Sequence, residues 1–342
     1  MLRREILRWC LAAALVPAAV LPARADDLVI ATFGGSFAEA TKLCHIGPFE
    51  KSSGAKADIQ LGNSVQLAAA IRAAAGHSGF DIAYMDDSLA TQLNAEHLLE
   101  PLDLSKLASA PDVAKQAFGP GNAYVNFMTA ATVIAYNPDE VKTPPTSWAD
   151  LFDPQYAGRL AIGDITGTSG LHFLLAVNRM RGGTYDNMDP GFAALKSLVP
   201  NAVTLYTQAD QIVALFQRGE IVIAPWYPDR AGSAIDAGVK VAVAYPKEGA
   251  VGIKPVMVIP KGASHPDLAL KYIDTVLSEA GQSCFAEHKY AGPVNLKVKL
   301  SDKVAKLVPY GATYQALWYP DPTEIAKHLP EWTRRWQREM AR

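Results

Sequence analysis

The run Trp226-Tyr227-Pro228-Asp229-Arg230 combines more kinds of chemistry than any other short stretch of the chain. It follows a short apolar segment that predicts a strand. An aromatic ring can stack on a small solute, and an adjacent acid and base can pair with charges of either sign. A surface Asp–Arg pair beside a tryptophan that packs in the core is the alternative interpretation. We therefore take Trp226, Asp229 and Arg230 as candidate ligand contacts.

Polar residues also follow the other predicted strands, at the position where open α/β sheets bind their ligands. These further candidates are Phe33, Gly35, Ser36, Asn63, Asp86, Thr168, Ser169 and Glu248. A carboxylate such as Asp86 can hold an amine, and the free N–H groups of a helix that starts at Thr168 and Ser169 suit a carboxylate or phosphate. The alternatives are a tight turn at the glycines and ordinary helix capping by the short polar residues.

The motifs of common enzyme classes are missing from the sequence. There is no Gly-x-Ser-x-Gly elbow, no Gly-Lys-Ser/Thr phosphate loop and no pair of histidines at metal-binding spacing. The Gly34-Gly35 pair lacks the third glycine of a dinucleotide fingerprint. We expect no catalytic residue, no metal and no cofactor, and a catalytic triad dispersed along the chain stays an alternative.

Predicted strands and helices alternate in two stretches of the chain. Residues 28–95 read as three strand–helix units, and the alternation restarts at residue 160. A longer β-rich run over 129–136 separates the two stretches. Such alternation is typical of a parallel sheet with helices on both faces. The sequence therefore predicts two α/β lobes, with the chain passing between them more than once.

Residues 1–25 predict a removable export leader. Arginines at 3, 4 and 8 precede an apolar run over 9–21, which is short for a membrane span, and a small-x-small site ends at Ala25. We expect cleavage after Ala25 and a periplasmic location, reached by the Sec or the twin-arginine route. A short membrane anchor is the alternative.

The charge balance disfavours two classes of partner. The whole chain has a formal net charge of −2, and the leader holds four arginines and one glutamate, so the remainder is near −5. Nucleic acid and anionic lipid surfaces both require a basic protein surface. We therefore expect neither as a partner.

Cys44 and Cys284 remain after removal of the leader. In an oxidising compartment such a pair is a disulfide candidate, and no Cys/His cluster offers the four close ligands of a zinc site. Two buried free thiols are the alternative.

Several motifs resemble those of periplasmic solute-binding proteins of ABC importers, of the spermidine/putrescine-binding type. They are Thr-Phe-Gly-Gly-Ser at 32–36, Tyr-Asn-Pro at 136–138, Pro-x-Ser-Trp at 145–148, Gly-Arg-Leu at 158–160, the strand motif at 219–226, Pro-Lys-Glu-Gly at 246–249, Gly-Pro-Val-Asn at 292–295 and the tail at 332–336. Each motif is weak alone, but their order along nearly the whole chain after the leader is specific.

The resemblance implies an α/β fold of the two-lobed periplasmic-binding-protein type II. Each lobe would be a mixed sheet flanked by helices, with the ligand cleft between the lobes. Expected boundaries are 1–25 for the leader, 26–134 and 257–308 for lobe 1, and 135–256 and 309–342 for lobe 2. Such proteins close by a hinge over one small-molecule solute, which an ABC permease in the inner membrane then receives. The resemblance also implies a monomer, and it would place a Cys44–Cys284 bridge within lobe 1.

Carried onto this chain, the resemblance places Phe33 and Trp226 beside the solute and Asp86 at a polar contact. Asp229 and Arg230 depart from the small residues that are commoner after the aromatic residue in the family. An arginine would repel a diamine and hold a carboxylate. We therefore expect a solute with an amine, a carboxylate or both, either amino acid-like or a polyamine. Ferric iron, a phosphonate, a sensory role and an enzyme built on the same lobes are the alternatives.

Overall fold

The computed structural model describes residues 27–340, apart from residue 75. The predicted leader at 1–25 therefore lies outside the described residues. Among the residues that are described, no helix combines the length and the apolar character needed to cross a membrane.

Twelve strands are present within the described residues. They are β1 (Asp27–Thr32), β2 (Lys56–Leu61), β3 (Ile82–Asp86), β4 (Leu99–Glu100), β5 (Val125–Asn126), β6 (Ala130–Tyr136), β7 (Leu160–Gly163), β8 (Ala202–Tyr206), β9 (Ile223–Trp226), β10 (Ala242–Ala244), β11 (Val251–Ile253) and β12 (Pro255–Pro260).

The α-helices of the same part of the chain cover both sheets. They are α1 (Ser36–Thr41), α2 (Gly47–Ser53), α3 (Ser64–Ala74), α4 (Asp87–Ala95), α5 (Thr168–Met180), α6 (Asp189–Leu198), α7 (Gln211–Gln217), α8 (Pro228–Asp236), α9 (Pro266–Leu277), α10 (Glu279–Lys289), α11 (Asp302–Leu307), α12 (Ala312–Gln315) and α13 (Pro322–Glu339). A π-helical segment, Lys42–Ile46, joins α1 to α2.

The strands form two mixed sheets. The first has the order β2-β1-β3-β12-β4, with β5 also paired to β12, and the second has the order β10-β6-β9-β7-β8, with β11 also paired to β6. Strand β1 is parallel to β2 and β3, and β7 is parallel to β8 and β9. We call the first sheet with its helices lobe 1 and the second lobe 2. The predicted fold class is confirmed.

The predicted lobe boundaries differ from the sheet pairing by a few residues. The boundary at 134/135 falls inside β6, which pairs along its whole length with strands of lobe 2. The boundary at 256/257 falls inside β12, which pairs with β3, β4 and β5 of lobe 1. Helix α11, expected in lobe 1, packs on α8 of lobe 2. A continuous apolar run carries no sign of which sheet it will pair with, so the sequence could not place these cuts.

Aromatic residues contribute large side chains to both cores. In lobe 1, Phe37, Tyr84, Phe127 and Phe285 meet edge to face, with ring centroids 4.8–6.2 Å apart. Such pairs add stability beyond the burial of their area. Helix α13 adds two nearly buried tryptophans, Trp332 and Trp336, to the core of lobe 2.

The chain passes between the lobes at three places within the described residues: between β5 and β6, between β11 and β12, and after α10. The first and third crossings are held together because Thr129 and Gly292 exchange backbone hydrogen bonds of 2.6 and 2.9 Å. A Cβ atom at Gly292 would lie 1.9 Å from the Thr129 hydroxyl, so only glycine fits there. Three adjacent crossings of this kind are suited to act as a hinge.

A disulfide joins Cys44, in the π-helical segment, to Cys284 in α10. The predicted bridge is therefore confirmed. It connects two helical segments of lobe 1 whose Cα atoms lie 5.5 Å apart.

Candidate functional site

A cavity of about 250 Å³ lies between the two lobes. Lobe 1 contributes 86–88, at the end of β3, and lobe 2 contributes Thr168, Leu171 and His172 of α5. The second crossing, 252–254, lines the cavity as well. Parallel strands bring their carboxyl ends to one edge of a sheet, which explains why loops distant in sequence meet here. We call this cavity and its rim the interlobe site.

The interlobe site has an acidic end at Asp86 and Asp87. Burial raises the pKa of both carboxyl groups. The pKa of Asp87 rises to about 6; the charge of Lys254 opposes this rise, and that of Asp86 adds to it. Asp86 keeps an open face toward the cleft, and its backbone N–H donates to the Ser64 hydroxyl at 3.2 Å. Ser64 opposes the rise of the Asp86 pKa. Among the described residues, no basic nitrogen lies within 4.0 Å of either carboxylate. A cation from outside the protein would therefore be stabilised here.

Tyr319 forms the wall beside this acidic end. Its ring is packed directly on Gly252, where an added Cβ atom would lie 2.3 Å from the ring. The ammonium of Lys254 sits 4.3 Å from the ring centroid, a cation–π arrangement. The Tyr319 hydroxyl is inaccessible to water and has no hydrogen-bond partner among the described residues. A buried hydroxyl without a partner is costly, and because this one is closed to water, Tyr319 offers the cavity its ring rather than its hydroxyl.

The start of α5 is occupied by tyrosines from lobe 2. The Ser169 N–H donates to the hydroxyl of Tyr227 at 2.8 Å, and the Ser169 hydroxyl lies 2.7 Å from that of Tyr206. Ser169 is 1% exposed, so its polar groups are used within the protein. The predicted ligand contact at Ser169 is therefore wrong, whereas Thr168 lines the cavity and stays a candidate.

A second charged group lies around Ser36, in the loop after β1, at the same edge of the lobe 1 sheet as Asp86. The ammonium of Lys289, the last residue of α10, donates to the Ser36 hydroxyl at 3.1 Å. Burial lowers the pKa of Lys289, while Asp229 of α8 opposes that shift. Burial likewise raises the pKa of Asp229, against the effects of Lys289 and Arg230. Lys289 and Asp229 belong to opposite lobes, so these two charges act on each other between the lobes.

Trp226 was predicted to flank the solute, and the structure places it elsewhere. The side chain is 0% exposed, packs in a core cluster of lobe 2 and donates its ring N–H to the carbonyl of Ala209 at 3.0 Å. It has no surface to offer a ligand. The next residue, Tyr227, reaches the start of α5 instead. In a strand, successive side chains point to opposite faces, and the sequence pattern did not reveal which of the two aromatic residues faces the core.

Arg230, Asn63 and Glu248 have partners that leave them little freedom for a ligand. Arg230 pairs with Asp210 at 3.2 Å and with Asp229 at 3.8 Å on the surface. Asn63 caps α3 by accepting from the Gln66 N–H at 2.9 Å.

Glu248 accepts hydrogen bonds from the hydroxyl of Ser147 at 2.6 Å and from the N–H of Trp148 at 3.3 Å. It lines a different cavity, together with Trp148 and Arg179. Asn63 is therefore an ordinary helix cap, and Arg230 belongs to a surface ion pair, as the alternative interpretations had it. For Glu248, the predicted place in the cleft is wrong, because its carboxylate caps the short turn at Trp148.

Phe33 and Gly35 stay predictions as ligand contacts. Phe33 is half-buried and packs edge-on against Phe37 with ring centroids 5.1 Å apart. Gly35 precedes α1 with φ of 64°, a left-handed conformation that favours glycine. Both residues lie at the same sheet edge as Asp86, because β1 and β3 are adjacent and parallel.

Sequence reasoning missed Asp87, Tyr227, Lys254, Lys289 and Tyr319 as site residues. Two of these residues had a signal in the sequence: Asp87 is adjacent to Asp86, and Tyr227 is adjacent to Trp226. Lys254, Lys289 and Tyr319 reach the site from the crossings and the C-terminal segment, where no local pattern marks them.

Comparison with known proteins gives a consistent result. Residues 46–310 match the family model described as bacterial extracellular solute-binding protein. The chain is 28% identical over 208 residues to the spermidine/putrescine-binding periplasmic protein of Escherichia coli strain K12, an alignment that covers 58% of this chain and only 58% of that relative. It is 23% identical over 290 residues to the gamma-aminobutyric acid-binding protein of Pseudomonas aeruginosa, covering 81% of this chain and 80% of the relative.

Solved structures share the fold. A crystal structure of an ABC transporter from Clostridium perfringens superposes with a TM-score of 0.78 at 27% identity, covering 92% of this chain and 99% of the other. The Agrobacterium tumefaciens C58 protein AttC, in an open unliganded conformation, gives a TM-score of 0.75 at 22% identity, covering 92% of this chain and 99% of the other.

Proposed function

Because the chain belongs to the family of bacterial extracellular solute-binding proteins, we propose that it is the substrate-binding component of an ABC importer. It captures a small amine-bearing solute in the interlobe site and delivers it to a permease in the inner membrane. The protein reaches the periplasm through its leader, which is removed after Ala25. It binds and releases the solute without changing it chemically.

One observation carries the choice of an amine: the two carboxylates at the acidic end of the interlobe site lack a close cation. Asp86 is exposed toward the cleft and Asp87 is partly buried, and the surrounding protein raises the pKa of each. An ionised carboxylate in such a place is unfavourable until a cation pairs with it. A solute ammonium supplies that charge.

The size of the site and the names of the relatives support the same class of solute. A cavity of about 250 Å³ is below the roughly 300–1,000 Å³ of sites for drug-sized ligands, so it suits a small metabolite. Spermidine, putrescine and gamma-aminobutyric acid, which appear in the names of the two curated relatives, all carry amines.

Isothermal titration of the protein, unfolded and refolded to remove carried-over ligand, tests the proposal. Putrescine and 4-aminobutyrate would be compared with 1,4-butanediol and butyrate, which match them without the amines. We expect binding only by amines. Asp86→Asn should weaken it by about tenfold or more, since a charge-assisted hydrogen bond contributes roughly 1.5–3 kcal/mol.

Asp139→Asn is the matched control, because Asp139 is an exposed acid away from the interlobe site. Equal binding by amines and their amine-free counterparts, or an Asp86→Asn variant with unchanged affinity, would contradict the proposed function.

A further inference from the structure

We propose that Lys289 is a specificity-determining residue that pairs with an acidic group of the solute. The interlobe site would then select a zwitterion, with an amine at Asp86 and Asp87 and an acid at Lys289, over a diamine of the same length. This inference rests on the proposed function of the same site.

The position of Lys289 is the first step. It ends α10, and its ammonium donates to the hydroxyl of Ser36, in the loop that follows β1. Strand β1 pairs in parallel with β3, which ends at Asp86, so the Ser36 loop and the acidic end share one edge of the sheet. One elongated solute along this edge can therefore meet both Asp86 and Lys289.

The second step is that Lys289 has no ion-pair partner. Among the described residues, no carboxylate oxygen lies within 4.0 Å of its ammonium, and Ser36 is its hydrogen-bond partner. The side chain is half-buried, and burial lowers its pKa. Asp229 of the opposite lobe opposes this shift but makes no ion pair with Lys289, so an acidic group of the solute that met the ammonium directly would be stabilised there.

Asp229, the acid of lobe 2 whose charge acts most on Lys289, lies beside Arg230. Its carboxylate is 3.8 Å from the Arg230 guanidinium. Arg230 in turn pairs with Asp210 at 3.2 Å. Arg230 therefore competes with Lys289 for both acids of lobe 2.

The test measures how Lys289 changes the choice between solutes of equal length. 4-Aminobutyrate, putrescine and butylamine would each be titrated into the refolded full chain and into Lys289→Met, Lys289→Arg and the control Lys51→Met. Lys51 is an exposed lysine of α2, in the same lobe. Wild type should prefer 4-aminobutyrate to putrescine, and Lys289→Met should weaken 4-aminobutyrate by at least about tenfold, the loss of a charge-assisted pair.

The remaining measurements separate this inference from the proposed function. Butylamine, which has no acid, should bind Lys289→Met as it binds wild type, and this shows that the variant is folded. Lys289→Arg should retain most of the preference for 4-aminobutyrate. Two results would overturn the role of Lys289 and leave the proposed function standing. One is an affinity ratio of 4-aminobutyrate to putrescine that Lys289→Met leaves unchanged, and the other is a wild-type preference for putrescine. Failure of every amine to bind wild type overturns the proposed function and this inference with it.

Discussion

Trp226 and Tyr227 are consecutive residues with different surroundings. The Trp226 ring is fully buried and donates to the Ala209 carbonyl, whereas the Tyr227 hydroxyl accepts the Ser169 N–H at the start of α5. The tryptophan therefore stabilises lobe 2, and the tyrosine shapes the wall of the interlobe site.

This division predicts that the two substitutions destabilise the protein by different amounts. Trp226→Ala should lower the free energy of unfolding by about 3–5 kcal/mol, because it leaves a large cavity in the core. Tyr227→Phe removes one hydroxyl and should cost about 1 kcal/mol. Urea unfolding followed by circular dichroism measures both. A Trp226→Ala protein as stable as the parent would contradict the core position of this residue.

Amine binding should depend on pH through Asp87. Burial raises the pKa of this carboxyl from 3.8 to about 6 in the folded protein. A solute ammonium needs the ionised form, so affinity should fall as the pH drops through about 6 and level off above it. Titrations between roughly pH 5 and pH 8 give this profile. Asp87→Asn should flatten the step, and a profile that keeps its shape in this variant would assign the step to another group.

The same pKa shift of Asp87 acts in the opposite direction on the stability of the protein without solute: ionisation favours solute binding but disfavours folding. The unfolded chain releases the Asp87 proton near pH 3.8, before the folded protein does near 6, so ionisation favours the unfolded state over this interval. Stability should therefore decline as the pH rises from about 4 to about 6, and Asp87→Asn should reduce that decline. Thermal unfolding across this range measures the difference between the two proteins.

The disulfide should contribute strongly to stability. Cys44 and Cys284 are 240 residues apart in sequence, and a bridge over so long a loop restricts the unfolded chain. The double variant Cys44→Ala/Cys284→Ala should lose about 2–5 kcal/mol in urea unfolding. Since Lys289 follows Cys284 on the same helix, the variant should also bind 4-aminobutyrate less tightly. Unchanged stability would mean that packing of α10 alone holds this part of lobe 1.

Gly252 is needed for the position of Tyr319. An added Cβ atom would lie 2.3 Å from the tyrosine ring, so Gly252→Ala must displace it. We expect a loss of about 1–3 kcal/mol in stability, as for other overpacked sites, together with weaker amine binding. Gly79→Ala is the control, since a Cβ atom there has no neighbour within 4 Å. Comparable affinities for the two alanine variants would remove Tyr319 from the site.

The sequence by itself determined the class of fold, because strand and helix periodicities are local properties of the chain. Alternation over 28–95 and again from 160 indicated two α/β lobes, and polar residues after strands indicated where Asp86, Thr168 and Ser36 would gather. Composition and compartment made Cys44 and Cys284 a disulfide candidate, with two free thiols as the alternative, and the structure contains the bridge.

Tertiary structure alone decided which side chains face the cleft. Packing against the core of lobe 2 decides which face of β9 each aromatic side chain takes. Trp226 is therefore buried, whereas Tyr227, the next residue, is not. The ammonium groups of Lys254 and Lys289 come near Asp86 and Asp87 only because segments distant in sequence lie side by side between the lobes. A binding site formed by long-range contacts leaves little trace in local sequence patterns, since each residue meets its partners only after the two sheets have formed.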